Sequence, residues 1–254
     1  MKLISRKGAT NIIAITALST LSPMSLQADT LGIYFSASSW SPNLSGYVSD
    51  NGPTINIEDE LGFDDENSTI FSVAIEHPIL FLPNFKYQRT DLDVNSSTTL
   101  SSEINFGGIT YPSNTPLESQ IDLSHSDYIM YYEVLDNWVS LDLGITVMNF
   151  DGNINISSTG LESDVEFDEF VPALYGKADF ELPFTGFYTG AEASVLSIGD
   201  GSISDYKIYL GWESDLVIGA EIGYHNFEAD WEGFENSDGN ISFEGYYATV
   251  TLHF

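Results

Sequence analysis

Cysteine is absent from the 254 residues, which removes disulfide frameworks and thiolate metal sites from consideration. Positive charge is nearly as scarce: seven Lys and Arg stand against 38 Asp and Glu, a formal net charge of −31. Such a chain has little with which to neutralise phosphates, so nucleic acid is excluded as a partner. Long apolar runs are missing too, with no stretch after the N-terminus approaching the about 18 consecutive apolar residues of a membrane-crossing helix. That excludes a helical membrane protein. Apolar and aromatic residues are nonetheless plentiful, at 43% and 13%, more than an acidic disordered protein carries. The length suits one domain or two small ones.

The first residues carry Lys2, Arg6 and Lys7, then an apolar run from Ile12 to Leu21, then Ser25-Leu26-Gln27-Ala28. A basic segment, a short apolar segment and a small residue in that order predict a secretory signal peptide over residues 1–28, cleaved after Ala28. The run is too short to anchor the chain as a transmembrane helix. Residues 29–254 keep four of the seven basic side chains and all 38 acidic ones, a formal charge of −34.

Beyond the signal segment the apolar residues alternate with period two. Tyr246, Ala248, Val250, Leu252 and Phe254 form one face of a strand, and Gly245, Tyr247, Thr249, Thr251 and His253 the other. The same split recurs at Leu216, Ile218, Ala220, Ile222 and Tyr224, at Tyr206 to Trp212, at Val139 to Val147, and at Leu31 to Ala37. A helix does not produce this period. Soluble sandwiches do, so further features must separate a protein core from a bilayer.

Aromatics cluster near strand ends in two bands, Tyr128, Tyr206, Tyr224 and Tyr246 in one and Phe85, Phe180, Phe187, Trp212 and Phe254 in the other. Two membrane interfaces require such girdles. Connections also alternate in length, short at Asp136-Asn137, Leu182-Pro183 and Ser214-Asp215 and mostly longer at the opposite ends, as in barrels with short periplasmic turns and long outer loops. The terminal strand, with Tyr246, Ala248, Val250, Leu252 and Phe254 at alternate positions, resembles the C-terminal signature of bacterial outer-membrane barrels. That resemblance implies recognition by the barrel-assembly machinery. With Leu61-Gly62-Phe63-Asp64-Asp65 and Glu76-His77-Pro78, the whole chain resembles a family of short proteobacterial outer-membrane proteins, a likeness that implies location and fold and supplies no activity.

The expected fold is therefore all-β, a closed antiparallel transmembrane β-barrel over residues 29–254, exported to the bacterial outer membrane. About ten strands start near residues 31, 68, 84, 120, 138, 167, 185, 203, 216 and 241, with eight or twelve as alternatives. Arg89 interrupts the face begun by Phe85 and Tyr87, which suggests a bulge or an exit from the bilayer there. Segment 96–119, rich in Ser, Thr, Asn and Pro, reads as a flexible outer loop.

Parity places Glu76, Glu133, Asp142, Asp179, Glu192, Glu213 and Glu221 in the lumen together with Lys86, Lys177 and Lys207, all the lysines that follow residue 28. Buried charges need partners, so a hydrogen-bonded ladder filling the bore is expected in a barrel of about this size. The competing expectation is a narrow cation-preferring passage, since the surplus carboxylates repel anions.

The acidic loop offers Asp59, Asp64, Asp65 and Glu66 as oxygen ligands for weakly held divalent cations, shared with lipopolysaccharide or lipid headgroups, but without EF-hand spacing. No other cofactor is expected. His125 and His225 fall near outer strand ends, with Asp127 and Glu228 close in sequence. A His-carboxylate pair there could activate water as a hydrolase, yet a solvated rim histidine is the simpler reading, and no catalytic residue is assigned. His77, in a short turn before Pro78, and His253, in the terminal strand, do not suggest catalysis. Composition and pattern thus favour a surface barrel with a structural or interaction role.

Overall fold

In the computed structural model, residues 31–50, 52–64, 66–79, 81–199, 201–214, 217–234 and 237–254 are described. The predicted signal segment 1–28, the expected start of the mature chain at Asp29, and Asp65, Asp215 and Leu216 lie outside the described residues. Fifteen strands form among those described: β1 (Gly32–Asp50), β2 (Ile55–Asn56), β3 (Ser68–Glu76), β4 (Asn84–Thr90), β5 (Asp93–Thr99), β6 (Ile104–Phe106), β7 (Ile109–Tyr111), β8 (Pro116–Asp122), β9 (His125–Asp136), β10 (Val139–Ser158), β11 (Leu161–Glu181), β12 (Phe187–Ile198), β13 (Gly201–Glu213), β14 (Ile218–Phe234) and β15 (Ser237–His253). Ten of them, β1, β3, β4, β9, β10, β11, β12, β13, β14 and β15, pair antiparallel around a closed ring. The seam joins β15 to β1 in register from Tyr34↔His253 to Asp50↔Ser237, which closes the ring of ten.

The connections at 77–83, 137–138, 182–186 and 214–217, where short turns are expected, lie at one end, the short-turn end, with the start of β1 and the end of β15. The opposite end departs from the expected longer loops: β10 and β11, β12 and β13, and β14 and β15 are each separated by only two residues, so that end is lengthened mainly by strand. At the other end the strands run far past the apolar belt, and side-chain polarity inverts as they do. On β14, Ile218, Ala220, Ile222 and Tyr224 point outward while Glu221 and His225 point in; further along, Glu228 and Asp230 point outward and Phe227, Ala229 and Trp231 point in. On β10 the outward row changes from Leu143 and Ile145 to Asn149 and Asp151, and the inward row from Asp142 and Thr146 to Met148, Phe150, Ile154 and Ile156. On β15 outward Val250 and Ala248 give way to Glu244, and inward Thr251 and Thr249 to Phe243 and Ile241. The inner half has a polar lumen facing an apolar exterior; the outer half has an apolar core facing water.

That core also absorbs residues expected in a flexible loop. Segment 93–122 is not structureless: β5 pairs with β8, β8 continues along β10 where β9 ends, and the pair prolongs the β4–β9 hairpin past a break at 91–92 and 123–124. Ser124 holds the break, its Oγ accepting from Leu92 N at 2.9 Å while its own amide donates to Asp122 Oδ1 at 2.9 Å. The hairpin β6–β7 then folds across the outer mouth. Ile104, Phe106 and Tyr111 sink into the core, Ser163 Oγ on β11 donates to the Phe106 carbonyl at 2.8 Å, and Tyr111 Oη donates to the Ile156 carbonyl at 2.8 Å. Burial lifts the Tyr111 phenol above its ordinary range, which keeps it a donor. Gly107 makes the turn of this lid at φ +62, so close to Ser163 that a side chain would collide.

Segment 52–64 fills the wall between the outer parts of β1 and β5. Ile55, Ile57, Leu61 and Phe63 enter the core, and Ser96 Oγ lies 2.8 and 2.7 Å from the carbonyls of Leu61 and Gly62. Arg89 causes no bulge; the registers of β4 with β3 and β9 run unbroken through Phe71↔Arg89↔Ser126, and the side chain faces outward. Register shifts occur instead at Leu141/Asp142 and at Trp231/Phe234.

Candidate functional site

Towards the short-turn mouth the lumen is polar. Tyr131 Oη donates to Glu76 Oε1 at 2.7 Å, Asn84 Nδ2 to Glu133 Oε1 at 3.0 Å, and Tyr209 Oη to Asp179 Oδ1 at 2.6 Å. Lys177 Nζ lies 2.8 Å from Asp179 Oδ2 and remains one-third exposed, while Glu221 accepts from Tyr247 and Tyr188. Asp142 is buried, with Oδ1 lacking a protein partner. Glu213 departs from the lumen expectation: about half exposed, it stands at the mouth against His253, because β13 ends there at the turn. Glu133 is exposed at the same rim.

Higher up, opposite walls are tied together. Lys86 Nζ on β4 lies 2.8 Å from both carboxylate oxygens of Glu192 on β12, and Lys207 Nζ on β13 lies 3.7 Å from the same carboxylate. Lys207 also donates to Gln88 Oε1 on β4 at 3.0 Å. In the ring, β4 and β13 have four strands between them on either side, so this bond spans the bore. Thr146 and Ser194 meet at 2.7 Å from strands two apart.

Directly above lies a layer that parity only half revealed. His125 and His225 are not solvated rim residues; both are wholly buried, packed against Phe150, Phe227 and Trp40 inside the barrel. His125 Nδ1 lies 2.9 Å from the Leu123 carbonyl, and its ring packs on Phe150 and Phe227, with centroids 4.9 Å away in each case. His225 Nε2 bonds to Asp205 Oδ1, and its ring lies 4.0 Å from that of Trp40. Asp127 takes a 3.2 Å bond from Gln88 Nε2 to Oδ2, and His125 Nε2 lies 3.8 Å from that oxygen. Glu228, near His225 in sequence, points outward to Asn240 instead. Asp205 was missed, although its inward parity with Lys207 on β13 marks it.

The acidic-loop candidates do not converge. Asp59 and Asp64 and Glu66 are exposed, and the Asp59 amide is used locally to bond Asn56 Oδ1 at 2.7 Å. Leu61 and Phe63 draw that segment's apolar side into the core and leave its carboxylates splayed to water. Among the described residues, His125, Asp127 and Asp205 are the cluster whose geometry suits a metal ion. His77 is a turn residue, its Nε2 3.2 Å from the Pro83 carbonyl. Tyr246, Ala248, Val250, Leu252 and Phe254 all face outward, with the Phe254 amide bonded to the Ile33 carbonyl at 2.9 Å.

No family model and no curated protein matches the sequence. Solved structures similar to the chain are bacterial barrels. Neisserial surface protein A is 10% identical over 87% of this chain and 97% of its own, with a TM-score of 0.34. The attachment invasion locus protein Ail of Yersinia pestis, solved with the heparin analogue sucrose octasulfate, is 7% identical over 89% and 99%, at 0.32. A Pseudomonas aeruginosa FadL homologue is 9% identical over 89% and 90%, at 0.35.

Proposed function

We propose that the chain is a surface barrel of the bacterial outer membrane, exported by the signal segment 1–28, whose bore is closed and whose folded acidic cap is its working part. One observation carries the reading: the strands' polarity inverts beyond the apolar belt, so the outer half encloses a core and a roof rather than a pore mouth. A channel needs neither an apolar plug nor bonds across its bore. The cap's outward rows, including Glu162, Asp164, Glu166 and Asp168 on β11 and Glu228 and Asp230 on β14, present dense negative charge. Such a face suits partners that approach through divalent cations or basic surfaces, lipopolysaccharide with its bridging ions among them. The outward row ending at Phe254 fits handling by the barrel-assembly machinery.

The lumen's surplus of carboxylates favours a second reading, a narrow cation path. Planar-bilayer recording of protein shown to be folded, under potassium and chloride gradients, separates the two. Silence is expected. Steady cation-selective steps that change in Glu192→Gln would replace the sealed barrel with the channel.

A further inference from the structure

We propose that His125, Asp127 and Asp205 bind one divalent transition-metal ion of the zinc class, clamping opposite walls of the barrel beneath the cap. Their ligand atoms lie within 4.8 Å of one another, contributed by β9 and by β13, which has three ring strands between it and β9 on one side and five on the other. Ligands about 2.1 Å from a tetrahedral ion stand about 3.4 Å apart. The 3.8 Å between His125 Nε2 and Asp127 Oδ2 is close to that, and a small rotation of the carboxylates closes the rest.

The chemistry of the histidine points to a ligand. A carbonyl can only accept, so the bond to Leu123 places a proton on Nδ1 of His125, and in the neutral ring the Nε2 lone pair then faces the two aspartates. That nitrogen is fully buried and has no hydrogen-bond partner, and neither has Asp127 Oδ1. A buried lone pair against a buried carboxylate oxygen is an unfavourable pairing that a cation between them relieves. Each ligand is also held from behind: His125 by the Leu123 carbonyl, Asp127 by Gln88, Asp205 by His225. Such outer supports fix ligand orientation in metal sites. Charge agrees. Asp127, Asp205 and Glu192 outnumber Lys86 and Lys207 in this part of the bore, and a nitrogen with carboxylate oxygens favours zinc-like ions over calcium.

Because the three side chains are buried, the ion would enter as the barrel closes. The full chain is therefore refolded with zinc or with cobalt(II), freed of excess metal by gel filtration, and assayed for bound metal and for the visible absorption of coordinated cobalt. About one ion per chain is expected, with a cobalt spectrum of low coordination number. Asp127→Asn and His125→Gln, which keep side-chain shape, should lose at least tenfold in retained metal, whereas His77→Gln and His253→Gln should retain it. A folded wild-type chain with no stoichiometric metal and no cobalt spectrum overturns the site, as does equal retention by Asp127→Asn. Should the interior variants fail to fold, the wild-type stoichiometry and spectrum still decide.

Discussion

Among single residues, Glu192 has the most dependents. Two lysines from different strands, Lys86 and Lys207, and the Tyr175 hydroxyl converge on its carboxylate. Replacing it by Gln leaves two largely buried ammonium groups facing a neutral amide. Breaking a buried pair by removing one partner costs about 3–5 kcal/mol, and residual solvent access places Glu192→Gln at the lower end, about 3 kcal/mol. Glu213→Gln at the exposed mouth should change stability by less than about 0.5 kcal/mol. Urea-unfolding midpoints of the two variants in lipid vesicles check the contrast; equal midpoints would remove the ladder's claim to hold the bore. Parity alone placed Glu192 and Lys207 inside, since a period of two leaves only two faces. Which carboxylate meets which lysine depends on strand number and shear, and neither is written in any one strand. Gln88, inward by the same parity as Lys86, carried no charge to draw notice and yet completes the tie across the bore.

At the level of elements, the lid is the part the sequence concealed. Its strands have three residues each, flanked by Ser, Thr, Asn and Pro, and the apolar residues they bury, Ile104, Phe106 and Tyr111, follow no sustained period. Propensity read the segment as loop, and only tertiary packing onto β10 and β11 made it otherwise. The ring strands, by contrast, began within about six residues of where alternation placed them, because a bilayer outside and a polar lumen inside enforce the period. Phe106→Ala should open the lid without unfolding the wall: the lost ring and the cavity are worth about 3–5 kcal/mol, more than a short hairpin can spare. New protease cuts between Leu100 and Pro116, in a barrel that keeps its heat-resistant mobility on gels, are the expected result. Cleavage unchanged from wild type would mean that the hairpin is held by its bonds to Ser163 and Ile156 rather than by Phe106.

For the molecule as a whole, the inversion of polarity fixes where lipid ends. From Phe254 back to Tyr246 the outward row is apolar over eight intervals, about 27 Å along the strand and about 20 Å along the membrane normal at a tilt near 40°. That approaches the about 25 Å of a barrel's apolar band, and Glu244, two residues further, already faces outward into water. The inversion is legible in the sequence, where inward Phe243 and Ile241 follow outward Tyr246 on the opposite parity. It escapes a search for apolar alternation because the alternation persists while its sense reverses. Four tryptophans sample the consequences. Trp138 and Trp212 are exposed near the short-turn end of the belt, Trp40 is buried inside the wall, and Trp231 lies in the cap. In single-tryptophan variants reconstituted with lipids brominated near the top of the acyl chain, Trp138 and Trp212 should be strongly quenched, and Trp40 and Trp231 should not. Quenching of Trp231 would push the bilayer over the outer strands and dissolve the cap into membrane; an unquenched Trp212 would take the belt out of lipid altogether. The expected pattern, two quenched and two dark to the lipid, is one that a soluble sandwich with the same alternation could not produce, since it has no face on which Trp138 and Trp212 meet acyl chains.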